Sequence, residues 1–590
     1  MTPVTFNGCF GWLHAPHDGV GGDVAVLICP GLMQDAILSY GSLRLLADQL
    51  AKAGYFVLRF DYPGTGDSCD EDIERARGHW TAWQQSVDRA ADWLLATTGA
   101  RRLVLGGLRL GTTLATLAAA RRNDVAGLVL FEPVLSGQAY VRQIRLEGDL
   151  LRGQDALKSE SLELREFRFS PETLAQMAAV DLRRVSLPAG LKVAIFTRTN
   201  SKLLDECMQA WNDAGVSVFR GDWEGLTPLV RHNIIDEDTL GEFHGVVQWL
   251  QGAVPVEAPA RARGPITLEP ATLRPSGCVE TPLRFGPEGR LFGMLCRPDR
   301  ATSEEVIIIG NAGHDPHYGS ARQPVVLGRR LAAAGVASLR LDFAGLGDSI
   351  GPPGRENMLP HVFAVDRGPD IHAAVDALEA LGFRRFGMAG LCSGAYHAFH
   401  CALVEPRVAT VLVINLPFFT LPGGDVLGYL EQRTVSPGDH LRKLFRLASW
   451  TTLLSGKTDM RGVLRGQSAR LRTTIQARIQ GLARRLGLVR EQSFARQAMA
   501  TLHKRGARAL FLFSPGEGET DAFGQEFGRA KGGLGAYPGS MTEVVPDMDH
   551  DLTNAVGRHT ANTLMIEFVT GARGQQSKVD KARQASAALA

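Results

Sequence analysis

The hydrophobic pattern alternates between short apolar runs and longer amphipathic stretches. In the first half, DVAVLICPG, YFVLRFDYPG and RRLVLGG read as strands, and SLRLLADQLAKAG reads as a helix ending at a glycine. The second half gives EEVIIIGNAG, VVLGRRLAAAG, VASLRLDFAG, RRFGMAG and VATVLVINLP in the same order. Strands rich in Val, Ile and Leu with helices between them predict mostly parallel sheets covered on both faces. The repetition extends to short motifs. LRFDYPGTGDS at 58–68 returns as LRLDFAGLGDS at 339–349, FGWLHAP at 10–16 as FGMLCRP at 292–298, and GLRLG at 107–111 as GLCSG at 390–394. The offsets of 281, 282 and 283 residues make the repeated unit a whole domain, not a solenoid turn. The predicted fold class is therefore α/β, with two tandem domains.

A Pro- and Ala-rich stretch at 253–275 has no apolar period and reads as the linker. It separates a domain at 1–252 from one at 276–570, and the polar, small-residue stretch 571–590 reads as a disordered tail. With 45% hydrophobic and 21% charged residues over 590 positions, the chain has globular composition, which excludes general disorder and fibres. No apolar run reaches the length of a transmembrane helix. A net charge of +2 argues against a polyelectrolyte binder as a whole. The start, MTPVTFNGCFGW, lacks a signal-peptide pattern. Eight cysteines (9, 29, 69, 207, 278, 296, 392 and 401) show no CxxC spacing, which argues against a disulfide scaffold and a zinc site and for a reducing, cytoplasmic compartment.

Chemistry concentrates in the second half. GLCSG follows the strand RRFGMAG and opens a small-residue helix, AYHAFHCAL. A strand, a Gly-x-nucleophile-x-Gly turn and a helix make a nucleophile elbow, here with Cys392 where Ser is usual. The plain alternative is a small buried hydrophobe. In this architecture an acid and a His follow the nucleophile in that order. Glu517, after the strand ARALFLF, fits the acid by spacing, with Asp521 and Glu519 as rivals. His550, after TEVVPDMD, would act as base and then acid, and otherwise it is a loop histidine. Two backbone N–H groups are expected to form the oxyanion hole, from Ser393 and from Gly313 in IIIGNAGHDPHYG. His314 and His317 in that loop read as ordinary loop residues. Contact with substrate, or a metal held with Asp315, is the alternative.

The first half lacks all three triad positions. Arg109 stands at the nucleophile position, Asn200 where Glu517 falls, and Glu224 opposite His550. An arginine stays protonated and cannot attack a carbonyl. This half reads as non-catalytic, with Arg109 either structural or a site for a carboxylate or phosphate. A helical insertion at about 420–508 in the second half reads as a lid over the site. Its stretch 431–508 carries 17 Lys and Arg against 4 Asp and Glu. That density suggests an anionic partner: a phosphopantetheine carrier, coenzyme A, an acidic glycan or a membrane surface. With few aromatics to stack bases, nucleic acid is disfavoured.

These motifs resemble the α/β-hydrolase fold. More closely, GLRLG and LFEPVLSGQAYVRQ resemble the type 2 family of exosortase A system-associated hydrolases, and HYGSARQ, LRLDFAGLGDS and GLCSG resemble the type 1 family. The resemblance implies a fusion of the two, linked to bacterial exopolysaccharide or envelope biosynthesis. Three functional readings follow. The first is hydrolysis of acyl esters or thioesters by Cys392, His550 and Glu517, without metal or cofactor. The second is acyl transfer from the same acyl-enzyme, since a thioester can be intercepted by an alcohol or amine. The third is a non-catalytic scaffold for an anionic glycan or carrier.

Overall fold

The computed structural model describes the chain apart from residues 17–21, 71–72, 74–77, 153–160, 222–236, 258–265, 301–302, 354–361, 364–365, 422–492, 517–522, 525, 529–533 and 572–590. Its first half supplies β1 (Thr2–Phe6), β2 (Cys9–His14), β3 (Val24–Cys29), β4 (Phe56–Phe60), β5 (Arg102–Leu108), β6 (Val125–Phe131), the hairpin β7 (Leu162–Leu164) and β8 (Phe167–Phe169), β9 (Lys192–Phe196) and β10 (Ser217–Gly221). The second half supplies β11 (Cys278–Phe285), β12 (Leu291–Pro298), β13 (Glu305–Ile309), β14 (Ala337–Asp342), β15 (Arg385–Leu391), β16 (Val408–Ile414), β17 (Arg508–Phe513) and β18 (Met541–Val544).

The two main sheets share one topology. Their strand orders are β1-β2-β4-β3-β5-β6-β9-β10 and β11-β12-β14-β13-β15-β16-β17-β18. In each, the second strand is antiparallel to both its neighbours, and the strands beyond it pair in parallel. Every residue of β3 is buried, as is every residue of β13 after Glu305, because helices cover both faces. The site-bearing loops lie at the carboxyl ends of these parallel strands, where such folds expose ligands.

Residues around the predicted lid and linker divide between described and undescribed stretches. The helix Phe494–Lys504 buries Ala495, Ala498, Met499 and Leu502 in the second core, and β17 begins at Arg508. Residues 422–492, the bulk of the predicted lid, lie outside the described residues, as does the tail 572–590. At the end of the linker, buried Leu273 bridges to Glu280 of β11.

The repeated LRxDxxGxGDS motif joins the halves. Arg340 of β14 donates to Asp67 at 2.8 Å, and Arg59 of β4 faces Asp348 at 3.4 Å. Arg322 donates to the Gly66 and Ser68 carbonyls, and Arg44 donates to those of Gly347 and Ser349. Each motif serine ties its own loop down. Ser68 accepts from Phe10 N–H and donates to the Asp61 carbonyl, as Ser349 does with Phe292 and Asp342. Trp12 and Phe292 pack edge to face across the seam at 4.9 Å. The two halves thus meet through equivalent surfaces, as two subunits do in a twofold interface.

Candidate active site

Both elbows keep the strained backbone of a presented side chain. Cys392 has φ 54° and ψ −114°, and Arg109 has φ 51° and ψ −119°. Such a conformation costs a non-glycine residue on the order of 1–3 kcal/mol and needs rigid support. The flanking glycines supply it. A Cβ on Gly390 would meet the Gly394 carbonyl carbon at 2.1 Å, and one on Gly394 would meet the Asn311 carbonyl at 2.5 Å. In the first half, a Cβ on Gly107 or Gly111 would collide in the same way with the Gly111 or Cys29 carbonyl.

Cys392 is half-buried and stands apart from the other seven cysteines, all of them buried. Burial pushes the Cys29, Cys207 and Cys401 thiols up to about 12. Beside Cys392 lies an aromatic cluster of Phe363, Phe418 and Tyr396, with ring centroids 5.0–5.7 Å apart. The Cys392 N–H donates to the Ile414 carbonyl at 3.0 Å. Across the elbow, Gly313 N–H donates to Ser393 Oγ at 2.7 Å, so this predicted oxyanion donor already holds an oxygen from the residue after Cys392. His314 is half-buried in the same loop.

The His550 loop is tied to the end of the same strand. Buried Asn415, at φ 49°, follows Ile414 and donates from Nδ2 to the His550 carbonyl at 3.1 Å and to Ser514 Oγ at 2.9 Å. The last residue of β16 and the one after it therefore hold the Cys392 amide and the His550 carbonyl. Asn415 escaped the sequence reading, although a polar residue ending the apolar run VATVLVI was a visible signal. Asp549 accepts from Thr553 and from Asn554 N–H, which holds the loop from its other side. Glu517, Glu519 and Asp521 lie outside the described residues. Asp315, in the Gly313 loop, has its carboxyl pushed up to about 7 by burial and by Asp551.

His317 belongs to the seam instead of a substrate or metal site. Its Nδ1 lies 2.8 Å from Asp342 and its Nε2 lies 2.6 Å from Asp67 of the other half. Burial opposes the charged ring, but the two carboxylates outweigh it and hold the imidazolium pKa well above the ordinary range. His317, Asp342 and Asp348 are close enough to share a cation. Their oxygens, however, already accept from Asn311, the Asp348 N–H, Tyr40 and Arg59. The donor set fits an ion-pair network. Asp315, the third residue of the predicted metal alternative, joins it through its carbonyl, which accepts from Asn311 Nδ2 at 2.8 Å.

In the first half the elbow side chain is part-exposed and pairs within its own domain. Arg109 Nε faces Asp35 at 3.4 Å, and its Nη2 donates to Gln143 at 3.2 Å. Asn200 is exposed and meets Arg220, and Glu224 lies outside the described residues. At the end of β6, Glu132 occupies the place of Asn415 and accepts from Thr197 and from Arg198 N–H.

Strand order, the antiparallel second strand and the two elbows define a tandem of domains with an α/β-hydrolase-like fold. A family model described as serine aminopeptidase, S33, matches residues 23–177, within the half that carries Arg109 at its elbow. No curated protein matches the chain. Among solved structures, the chain is similar to an α/β serine hydrolase without lid from Xanthomonas campestris, at 16% identity and TM-score 0.27 over 44% of this chain and 96% of that one. It is also similar to Est1E from Butyrivibrio proteoclasticus, solved with ferulic acid, at 12% identity and TM-score 0.32 over 43% and 99%. A proline iminopeptidase from Mycobacterium smegmatis shows 13% identity and TM-score 0.28 over 43% and 98%. No described helix is long and apolar enough to cross a membrane.

Proposed function

We propose that the second domain cleaves acyl esters or thioesters through an acyl-Cys392 intermediate. The observation that supports this reading is the Cys392 elbow, strained and half-buried, with its amide bonded to Ile414, whose neighbour Asn415 donates to the His550 carbonyl, and with Gly313 N–H bonded to the adjoining Ser393. The Cys392 thiolate adds to the acyl carbonyl, and its oxyanion takes the place of Ser393 Oγ at Gly313 N–H, joined by Ser393 N–H. The leaving alcohol or thiol departs with a proton from His550, and a thioester remains on Cys392. His550 then deprotonates water, which expels the thiolate as acid product forms. The acid that orients His550 is Glu517 or Asp521. The Phe363–Phe418–Tyr396 wall suits an apolar or aromatic acyl group. Arg109, paired with Asp35 and Gln143, serves the first half as a structural residue.

Acyl transfer is the second reading, favoured by the same aromatic wall, which keeps water from the thioester until an acceptor arrives. The basic stretch 431–508 supports a donor carried on an anionic group such as coenzyme A or a phosphopantetheine carrier. The resemblance to exosortase A system-associated hydrolases supports an acceptor or substrate in polysaccharide assembly. Release of product from p-nitrophenyl esters and acyl thioesters, with and without amine or alcohol acceptors, tests both. Turnover in water supports hydrolysis, acceptor-dependent turnover supports transfer, and activity that survives Cys392→Ala contradicts both.

A further inference from the structure

The first domain also reaches the second domain's site, through the turn between β7 and β8. Arg558, in the first turn of the helix Ala555–Thr570, donates from Nη1 to the Leu552 and Thr553 carbonyls at 2.7 and 3.1 Å. Its Nη2 donates to the Arg165 carbonyl of the first domain at 3.0 Å. Leu552 has φ 56°, Asp547 has φ 59°, and His550 lies between them. Arg165, at the tip of the hairpin, has φ 54°. One guanidinium therefore holds the carbonyls of two residues in strained conformations, one from each domain. A Cβ on Gly557 would lie 2.3 Å from the Asp547 carbonyl, so the helix start is pressed against the same loop. From the other side, Arg165 donates to Ser320, which follows the Gly313 loop, and its charge bears on Asp315. The hairpin thus touches the segment after the Gly313 loop and the guanidinium that holds the residues after His550.

The geometry points to Arg558 as a positioning residue that locks the His550 loop against the first domain. The degenerate half then acts as a built-in brace for the site of the other half. This inference rests on the Cys392–His550 reading. Left-handed Leu552 and Asp547 would relax without the brace, and a shift of about 1 Å in the imidazole can cost up to 10²-fold in rate. The acyl chemistry stays with Cys392 and His550, and Arg558 acts only through the loop it holds.

The test follows the alkylation rate of Cys392 by iodoacetamide across pH, read by intact mass on the full chain. His550→Ala should slow alkylation near neutral pH by removing the imidazolium that supports the thiolate. Arg558→Leu and Arg165→Pro, which cannot keep the left-handed turn, should each slow it about 10-fold. Arg558→Lys should fall between these and wild type, and Arg165→Gly should lose less than Arg165→Pro. Added to His550→Ala, neither should cost more. Should Arg558→Leu not fold, as thermal unfolding would show, Arg165→Pro decides, since it breaks the same contact from the first domain's side. Wild-type rates in both brace variants beside a slow His550→Ala would overturn the brace and leave the catalytic pair standing. A slowdown that adds to His550→Ala would also overturn it. An unchanged His550→Ala would overturn the catalytic pair, and the brace with it.

Discussion

At the scale of single residues, the site is made by backbone constraint before it is made by side-chain chemistry. Cys392 is reactive in this account because its neighbours cannot be larger. Gly390→Ala and Gly394→Ala should each destabilise the protein by about 3 kcal/mol, since overpacking against backbone has no soft partner to move. Chemical denaturation checks this, and a loss below about 0.5 kcal/mol in either variant would mean the elbow is loosely built. The pentapeptide was legible in the sequence because its glycines encode the turn themselves. Asn415 and Arg558 were not, because what they do is bind carbonyls of residues 135 and 393 positions away, and no local pattern marks such a partner. His550 was placed by its order in the chain. Its acid candidates, Glu517, Glu519 and Asp521, lie outside the described residues and rest on their spacing from β17.

Among elements, the DxxGxGDS loops repay comparison with what their repetition suggested. They marked the duplication correctly, and the structure puts them at the seam between the halves. There the motif aspartates answer the arginines of the opposite β4 and β14. His317 completes this seam, and two opposite pH limits follow. The folded-state pKa of His317 stands above its unfolded value near 6.5. Its contribution is therefore complete below about pH 6.5 and is lost as pH rises through the folded value. For Asp67, burial is outweighed by His317 and Arg340, which hold its carboxyl well below the usual range. Its contribution is present above about pH 4 and is lost as pH falls through the folded value. Calorimetry across pH should show His317→Gln less stable by about 3–5 kcal/mol near pH 6, with the alkaline limb gone. A profile parallel to wild type would remove His317 from the account of the seam.

Over the whole molecule, one sheet plan appears twice, and the proposed chemistry falls in one copy with the proposed brace in the other. The tandem was legible because both copies retain strand order and motif spacing. How they meet was not, because the contacts join positions some 250–310 residues apart and depend on charges buried only in the assembled chain. Fully buried Arg340 bridges Asp67 and Glu280 at 2.8 and 2.7 Å. Arg340→Met would leave both carboxylates buried without their cation, at a cost of about 3–5 kcal/mol. A single calorimetric transition should then split in two, with the first domain separating from the second. One unshifted transition in Arg340→Met would mean the halves are coupled by other contacts.

The central claim is a covalent acyl intermediate on Cys392, and intact-protein mass spectrometry after brief exposure to short and aromatic acyl thioesters and p-nitrophenyl esters tests it most directly. The account predicts one acyl adduct on the wild-type chain, none on Cys392→Ala, and a longer-lived adduct on His550→Ala if one forms. An adduct on another residue, or equal labelling of wild type and Cys392→Ala, would contradict it.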